Sequence, residues 1–205
     1  MKRDSTFVGA AAVLFALLTF IGMIVVDPPG GDYKESDVTN FLAHGHRTAV
    51  YVGLYLMLAG AVCLLFLVTA LRGRATGRWA ALFDGVSMAS ATAWAIGSVL
   101  VAVVPIAFSN GLDTAPDSHT TYVITQIGYA TLFGVGGVLL GVALIAFAAS
   151  AALPTWLRVV TYIAGIAGLI SPAFFPFMIL LIWGIVFGVW TLASRPGEVH
   201  EAVPA

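Results

Sequence analysis

The chain has 205 residues, of which 60% are hydrophobic and only 9% are charged, and its net charge is −1. Nine Lys/Arg and ten Asp/Glu cannot cover the surface of a soluble protein of this size, in which about 25% of residues are charged. The same composition excludes intrinsic disorder and nucleic-acid binding, since the chain is apolar and has no basic block. The lone cysteine, Cys63, excludes a disulfide framework. We therefore predict an all-α, polytopic transmembrane helical bundle that forms one integral-membrane domain over residues 1–205.

Apolar runs long enough to cross a bilayer occur repeatedly along the chain. A helix needs about 20 apolar residues to cross a hydrocarbon core of about 30 Å, and such runs lie at about 7–26, 50–71, 79–104 and 122–149. The apolar stretch from Leu157 to Ala193 is too long for one helix, and Pro172 and Pro176 predict a turn within it. We therefore predict six spans, the last two at about 157–170 and 177–194. Five spans with a kinked last helix are the alternative.

The basic residues alternate between the two sides as six spans require. If the amino terminus is cytoplasmic, the outer segments hold only Lys34 and Arg47, and the inner segments hold the other seven basic residues, which are Lys2, Arg3, Arg72, Arg74, Arg78, Arg158 and Arg195. This is the positive-inside bias, and we expect a multi-pass protein of the cell membrane with both termini in the cytoplasm. The first run is longer than a signal-peptide core and lacks a small-residue cleavage motif, so we expect it to remain as a span.

The longest polar segment, from Asp27 to Arg47, lies between the first two spans. Its Pro-Pro-Gly-Gly start is typical of a turn. Ser36 is a candidate N-cap of a short helix. Val38, Phe41 and Leu42 then form one apolar stripe of that helix, with the spacing i, i+3 and i+4. An irregular loop that packs these side chains on the bundle is the alternative.

Asp84 is the one acidic residue inside a predicted span. An ionisable side chain within the bilayer is costly and suggests a function such as proton carriage. Asp84 lies only five residues after Trp79, however, which is about 7–8 Å along the helix. The alternative is therefore a carboxylate at headgroup depth that pairs with Arg74 or Arg78, or that caps a neighbouring helix.

Small residues are frequent in three of the predicted spans. The third span holds Gly85, Ser87, Ser90, Thr92 and Ser98; the fourth holds Gly134, Gly137 and Gly141; and the last holds Gly184 and Gly188. Small residues let membrane helices approach closely, because lipid provides little hydrophobic drive for their association. They predict close packing between neighbouring spans, and the alternative is a polar-lined cavity or a docking face for a partner.

Three histidines, His44, His46 and His119, fall in the predicted outer loops. We expect them to be solvated, because their spacing does not match a metal site. No histidine or lysine lies inside a predicted span, which argues against a histidine-held haem and a retinal Schiff base. The chain also lacks hydrolase and phosphate-binding motifs. We therefore predict no enzymatic activity, no cofactor and no metal.

Several short segments carry a resemblance to a known group of proteins. The run from His46 through Leu56, with Val-Tyr-Val-Gly-Leu-Tyr-Leu after His-Arg, opens the second span. Gly128-Tyr129 lies in the fourth span, and Leu-Pro-Thr-Trp-Leu at 153–157 precedes the fifth. These segments resemble uncharacterised actinobacterial multi-pass membrane proteins of about six helices and unknown function. The resemblance implies the topology and no catalytic residues.

Two functions are compatible with this sequence. Short loops, missing catalytic groups and small-residue faces favour a non-enzymatic accessory or stabilising subunit of a larger membrane complex. The alternative is a small carrier or a lipid- or small-molecule-binding protein, with a cavity among spans two to four and Asp84 as its titrating group. The expected partners are the lipid bilayer and a membrane protein or a second copy of the chain, with no nucleic acid.

Overall fold

The computed structural model describes residues 2–43, 47–110 and 117–194. It is 87% helical, with no strand in these three ranges, which confirms the all-α class. The described α-helices are α1 (Lys2–Val26), α2 (Glu35–Leu42), α3 (Arg47–Leu71), α4 (Arg78–Ser109), α5 (Ser118–Tyr129), α6 (Val138–Ser150), α7 (Thr155–Leu169) and α8 (Phe177–Ala193).

Four continuous helical stretches are long and apolar enough to cross a membrane. They are Ser5–Val26, Arg47–Arg74, Arg78–Ser109 and Ser118–Ser150. The last contains α5 and α6, which are joined without a break by a π-helical stretch at Ala130–Gly137 that we call the π segment. Length and composition therefore identify a helical membrane protein, and these four stretches coincide with the first four predicted spans.

The helices α7 and α8 are shorter, with 15 and 17 residues, and form a hairpin. Its turn consists of a 3-10 helix at Ser171–Ala173 followed by Phe174, which has a positive φ of 66°. The Phe175 N–H donates to the Ala173 carbonyl at 2.8 Å, so Phe174 is the centre of a γ-turn. The predicted turn between the two prolines is confirmed.

Glycines form the closest contacts between neighbouring helices. A Cβ on Gly9 of α1 would lie 2.8 Å from the Gly188 carbonyl oxygen of α8. A Cβ on Gly168 of α7 would lie 2.6 Å from the Gly141 Cα of α6. Since no real Cβ approaches so closely, these crossings require glycine on both sides. The predicted packing role of Gly141 and Gly188 is confirmed.

The centre of the bundle is aromatic. The Trp94 ring packs against Phe15 with centroids 4.8 Å apart and against Phe177 at 5.1 Å, and Phe177 packs against Phe133 at 4.4 Å. Trp94, Phe15 and Phe177 are fully buried. This cluster therefore joins α1, α4, the π segment and α8 into one core.

The two ends of the bundle differ in character. The loop from α3 to α4 and the start of α7 lie at the same end, since the Thr76 hydroxyl donates to the Ser150 carbonyl at 3.1 Å. This end carries Arg72, Arg74, Arg78 and Arg158, and we call it the basic end. The opposite end carries α2 and the turn of the hairpin, and we call it the α2 end.

The short helix α2 packs against the last turns of α4 and the first turns of α5. Its stripe of Val38, Phe41 and Leu42 is buried, which confirms the predicted apolar face. The predicted cap is wrong, because the helix begins at Glu35 with Lys34 in the N-cap position. The Ser36 hydroxyl instead donates to the Asp37 carboxylate, one residue along the first turn.

Candidate functional site

Residues 28–31, which we call the strap, belong to the connection between α1 and α2 and run along one face of α5. The Tyr129 hydroxyl donates to the Pro28 carbonyl and the Gln126 amide to the Pro29 carbonyl, each at 3.2 Å. The Tyr122 hydroxyl donates to the Gly31 carbonyl. Positions 122, 126 and 129 share one helix face, so three consecutive turns of α5 hold the strap.

Backbone conformation at each end of the strap directs it away from α1. Asp27 has a φ of 42°, a conformation in which Asp is less strained than most residues. Pro28 and Pro29 follow and cannot continue a helix. Gly31 has a φ of 70°, which turns the chain toward α2. The carbonyl groups of the strap are therefore available to accept hydrogen bonds from the side chains of α5.

The π segment is attached to two other helical elements through its backbone carbonyls. The Ser171 hydroxyl, in the hairpin turn, donates to the Phe133 carbonyl, and the Ser90 hydroxyl of α4 donates to the Gly136 carbonyl at 2.7 Å. Both serines are buried. A π turn interrupts the regular hydrogen-bond ladder and is a frequent feature of functional sites. Here the two hydroxyls stabilise it.

A pocket of about 500 Å³ lies where the strap, the π segment and the hairpin turn meet. We call it the hairpin pocket. It is lined by Gly30, Gly31, Gln126, Tyr129, Ala130, Phe133, Gly134, Pro172 and Phe174. The Phe133 ring forms its aromatic wall, packed 5.3 Å from Tyr129 and 5.3 Å from Phe174. Its volume and its apolar walls with a few polar groups are typical of a small-molecule site.

A second cavity of about 390 Å³ lies on the other side of the strap. The polar residues that line it are Asp27, Asp37 and Asn40. We call it the carboxylate cavity. Gly30 lines both cavities, so they adjoin at a residue with no side chain.

Asp84 lies at the opposite end of the bundle. Its Oδ2 is 2.8 Å from Nη2 of Arg72, in an ion pair whose side chains are 32% and 67% exposed. The pairing to an arginine of the α3–α4 loop agrees with a carboxylate at headgroup depth, and the structure identifies Arg72 as a partner. Asp84 lines neither cavity described above.

The predicted outer histidines are only partly described. The His119 ring stacks on Tyr33 with centroids 4.3 Å apart, whereas His44 and His46 lie outside the described residues. Asp117 caps α5 by accepting the Thr120 N–H at 3.0 Å. Within the described ranges, no group of three His, Cys, Asp or Glu side chains could hold a metal ion.

Two of the predicted small residues have no close neighbour among the described residues. A Cβ added at Gly85 or at Gly134 would have no heavy atom within 4 Å beyond its own helix backbone and chain neighbours. Gly134 opens into the hairpin pocket. Gly85 lies on the surface of α4 in a row with Ala81 and Ala89, both exposed. Gly85 and Gly134 therefore do not share the packing role of Gly141 and Gly188.

Reasoning from the sequence named Gly134, Tyr129 and Pro172 for other reasons and did not bring them together as a pocket. The one signal of the pocket in the sequence is the polar face of Tyr122, Gln126 and Tyr129 at the start of an otherwise apolar span. Comparisons of the chain with protein families, with curated proteins and with solved structures give no match.

Proposed function

We propose that this chain is a six-span, non-enzymatic protein of the cell membrane that binds an amphiphilic small molecule in the hairpin pocket. The observation that supports this function is the pocket of about 500 Å³, whose lining combines the aromatic rings of Tyr129, Phe133 and Phe174 with the polar residue Gln126. Sites for small apolar ligands have this volume and this mixture of groups.

The position of the pocket suits an amphiphile. Tyr129 lines the pocket and donates to Pro28, two residues beyond the end of α1, so the pocket is level with the end of an apolar span, where we expect the membrane boundary at the α2 end. Tyr side chains prefer this interfacial depth, with the ring in apolar surroundings and the hydroxyl in polar ones. A ligand here would place its apolar part among Phe133 and Phe174 and its polar part near the strap.

The depth of the hairpin supports six spans. Phe133, which accepts from Ser171 in the hairpin turn, lies one turn from Tyr129, which contacts the strap after α1. The hairpin turn is therefore close to the depth at which α1 ends. The helices α7 and α8 have 15 and 17 residues, which is about 22 and 25 Å, so a hairpin that reaches this depth crosses most of a hydrocarbon core of about 30 Å. The positive-inside rule then orients the basic end toward the cytoplasm.

An accessory-subunit function is the second candidate, and it has its own supporting observation. Ala81, Gly85 and Ala89 form an exposed row at i, i+4 and i+8 of α4. Rows of small residues with this spacing allow another membrane helix to approach closely. In this function the row would contact a partner helix.

One experiment separates the two candidates. The tagged full chain is isolated from its native membrane in mild detergent, and the co-purified lipids, small molecules and proteins are quantified by mass spectrometry. The variants are Gly134→Leu, which fills the hairpin pocket, and Gly85→Leu, which places the same side chain on the exposed row. Each variant is the matched control of the other, since neither glycine has a close neighbour.

We expect one amphiphile to co-purify with the unchanged chain and with Gly85→Leu. In Gly134→Leu its amount should fall by about tenfold, the effect of losing about 1.4 kcal/mol of binding free energy. Equal amounts of the amphiphile in both variants would show that it does not bind in the hairpin pocket. A stoichiometric protein that is lost in Gly85→Leu and retained in Gly134→Leu would establish the accessory subunit instead.

A further inference from the structure

Phe174, which lines the hairpin pocket, has a backbone conformation that disfavours any residue with a side chain. Its φ of 66° and ψ of −62° are those of a γ-turn with positive φ, which is rare and strained for residues other than glycine. Glycine adopts such angles without steric strain, because it has no Cβ. The chain nevertheless has a bulky aromatic residue at this position.

The turn itself does not require the side chain of Phe174. The Phe174 N–H donates to the Ser171 carbonyl at 2.9 Å, and the Phe174 carbonyl accepts the Phe177 N–H at 3.0 Å. The Phe175 N–H closes the γ-turn on the Ala173 carbonyl. All three hydrogen bonds join backbone atoms, so glycine at position 174 would form them equally.

Packing within the chain does not account for the Phe174 ring either. The side chain is 41% exposed, whereas Phe177, three residues later, is fully buried. Its ring neighbours are Phe133, at 5.3 Å between centroids, and Phe175, which is itself 81% exposed. Because less of its surface packs against the chain, the Phe174 ring stabilises the fold less than the Phe177 ring does.

The Phe174 ring instead completes the hairpin pocket. Phe174 and Phe133 both line the pocket, and their ring planes are perpendicular, with an angle of 86°. Phe133 belongs to the π segment, so two departures from regular backbone geometry adjoin at one cavity. Strained residues and π turns both cluster at functional sites, where the surrounding structure holds them in place.

We propose that Phe174 is a ligand-binding residue of the hairpin pocket, whose strained backbone holds the aromatic ring against the apolar part of the bound molecule. This inference rests on the proposed binding function, because it assigns a ligand contact in the same pocket. Stability and binding then make opposite demands on position 174. Glycine suits the backbone, and an aromatic ring suits the ligand.

The test uses the full chain in nanodiscs of phosphatidylcholine and, as probe, dodecanol with a diazirine on its alkyl chain. The probe is uncharged, because none of the described residues that line the pocket is charged. Photolabelling that excess dodecanol suppresses is mapped to peptides and quantified by mass spectrometry. The unfolding temperature of each variant is measured in the same nanodiscs.

The variants separate the ring from the backbone strain. Phe174→Gly removes both, Phe174→Ala removes the ring and keeps the strain, and Phe174→Tyr keeps both. Phe175→Gly is the matched control, because Phe175 is the next residue and does not line the pocket. Gly134→Leu, which fills the pocket, tests the binding function itself.

We expect specific labelling to fall by about tenfold in both Phe174→Gly and Phe174→Ala, the effect of losing one aromatic contact. Phe174→Tyr should retain most of the labelling, and Phe175→Gly should leave it unchanged. Phe174→Gly should unfold at a higher temperature than Phe174→Ala, since only glycine relieves the strain.

The outcomes that contradict the inference differ from those that contradict the binding function. If Gly134→Leu abolishes specific labelling while Phe174→Gly and Phe174→Ala retain it, Phe174 does not bind the ligand and the pocket stands. If Phe174→Gly unfolds at or below the temperature of Phe174→Ala, the ring is not held by a strained backbone. If the unchanged chain shows no specific labelling, or if Gly134→Leu leaves it unchanged, the proposed function itself is wrong.

Discussion

Asp84 and Arg72 form an ion pair at the surface of the basic end. Asp84 precedes Val101 by 17 positions in the same helix, which is about 25 Å at about 1.5 Å per residue. Val101 is level with the hairpin pocket, since its backbone N would lie 2.7 Å from a Cβ on Gly128, the residue before Tyr129. Asp84 is therefore too distant to exchange a proton with a ligand in this pocket.

The substitution Asp84→Asn tests the role of this carboxylate. Because both side chains of the pair are partly solvated, we expect the free energy of unfolding to fall by less than about 1 kcal/mol. The amount of amphiphile that co-purifies should not change. Thermal unfolding in detergent and lipid mass spectrometry measure the two effects, with Arg72→Gln as the matched variant of the partner. Loss of a pH-dependent transport signal in Asp84→Asn would instead support the carrier hypothesis.

At the scale of elements, the π segment and the hairpin turn stabilise each other through direct contacts. The Ser171 side chain lies against Gly137 and donates to the Phe133 carbonyl, so the hairpin turn occupies space that a side chain at position 137 would fill. The nearby Phe174 has the positive φ of a strained γ-turn. The hydrogen bond from Ser171 therefore helps to hold a wall of the hairpin pocket.

Removal of this hydroxyl should weaken the contact between the two elements. We expect Ser171→Ala to lower the free energy of unfolding by about 1–3 kcal/mol, because the buried Phe133 carbonyl loses a side-chain donor. Ser150→Ala is the control, since the Ser150 hydroxyl donates to carbonyls of its own helix, Ala146 and Phe147. Thermal unfolding of both variants in the same detergent measures the difference. An equal effect of the two substitutions would contradict a specific role of Ser171.

At the scale of the whole molecule, the number of spans determines which ends of the helices face the cytoplasm. Six spans with a cytoplasmic amino terminus place α2 and the hairpin turn outside, and the α3–α4 loop and the end of α8 inside. Five spans would place the end of α8 outside. The two topologies therefore differ in the accessibility of Ser194 from outside the cell.

Single cysteines introduced after replacement of Cys63 distinguish the two topologies. We expect an impermeant thiol reagent to label Ser36→Cys and Phe175→Cys in intact cells, since both positions are exposed and Phe175 has 81% of its surface accessible. Gly73→Cys and Ser194→Cys should react only after lysis, and the cysteine-free chain provides the background. Labelling of Ser194→Cys in intact cells would contradict six spans.

Features that depend on local composition were predictable from the sequence. The helical spans, the turn between Pro172 and Pro176 and the buried stripe of α2 all follow from apolar length, proline chemistry and helical spacing. The N-cap at Ser36 was a wrong prediction, because several residues at the start of α2 suit a first turn and the N-cap position lies two residues earlier, at Lys34. Local sequence patterns therefore predict the presence of a helix better than they predict the residue at which it begins.

The candidate site was not predictable, because it is formed by residues far apart in the chain. The hydrogen bonds from Gln126 to Pro29 and from Tyr129 to Pro28 join positions separated by 97 and 101 residues. The π segment is richer in glycine than the adjoining α-helices, with Gly134, Gly136 and Gly137, but glycine in an apolar span predicts close packing and not a π turn. Its geometry depends on Ser90 and Ser171, which belong to other elements.

The attachment of the strap to one face of α5 makes the rim of the pocket sensitive to helix rotation. An α-helix turns by about 100° for each residue, and the π segment adds backbone to the turns directly below the three donors. If one residue of that excess were taken up, α5 would rotate by about that angle. Tyr122, Gln126 and Tyr129 would then leave the strap together. The three hydrogen bonds would therefore break together if the helix beneath them changed its winding.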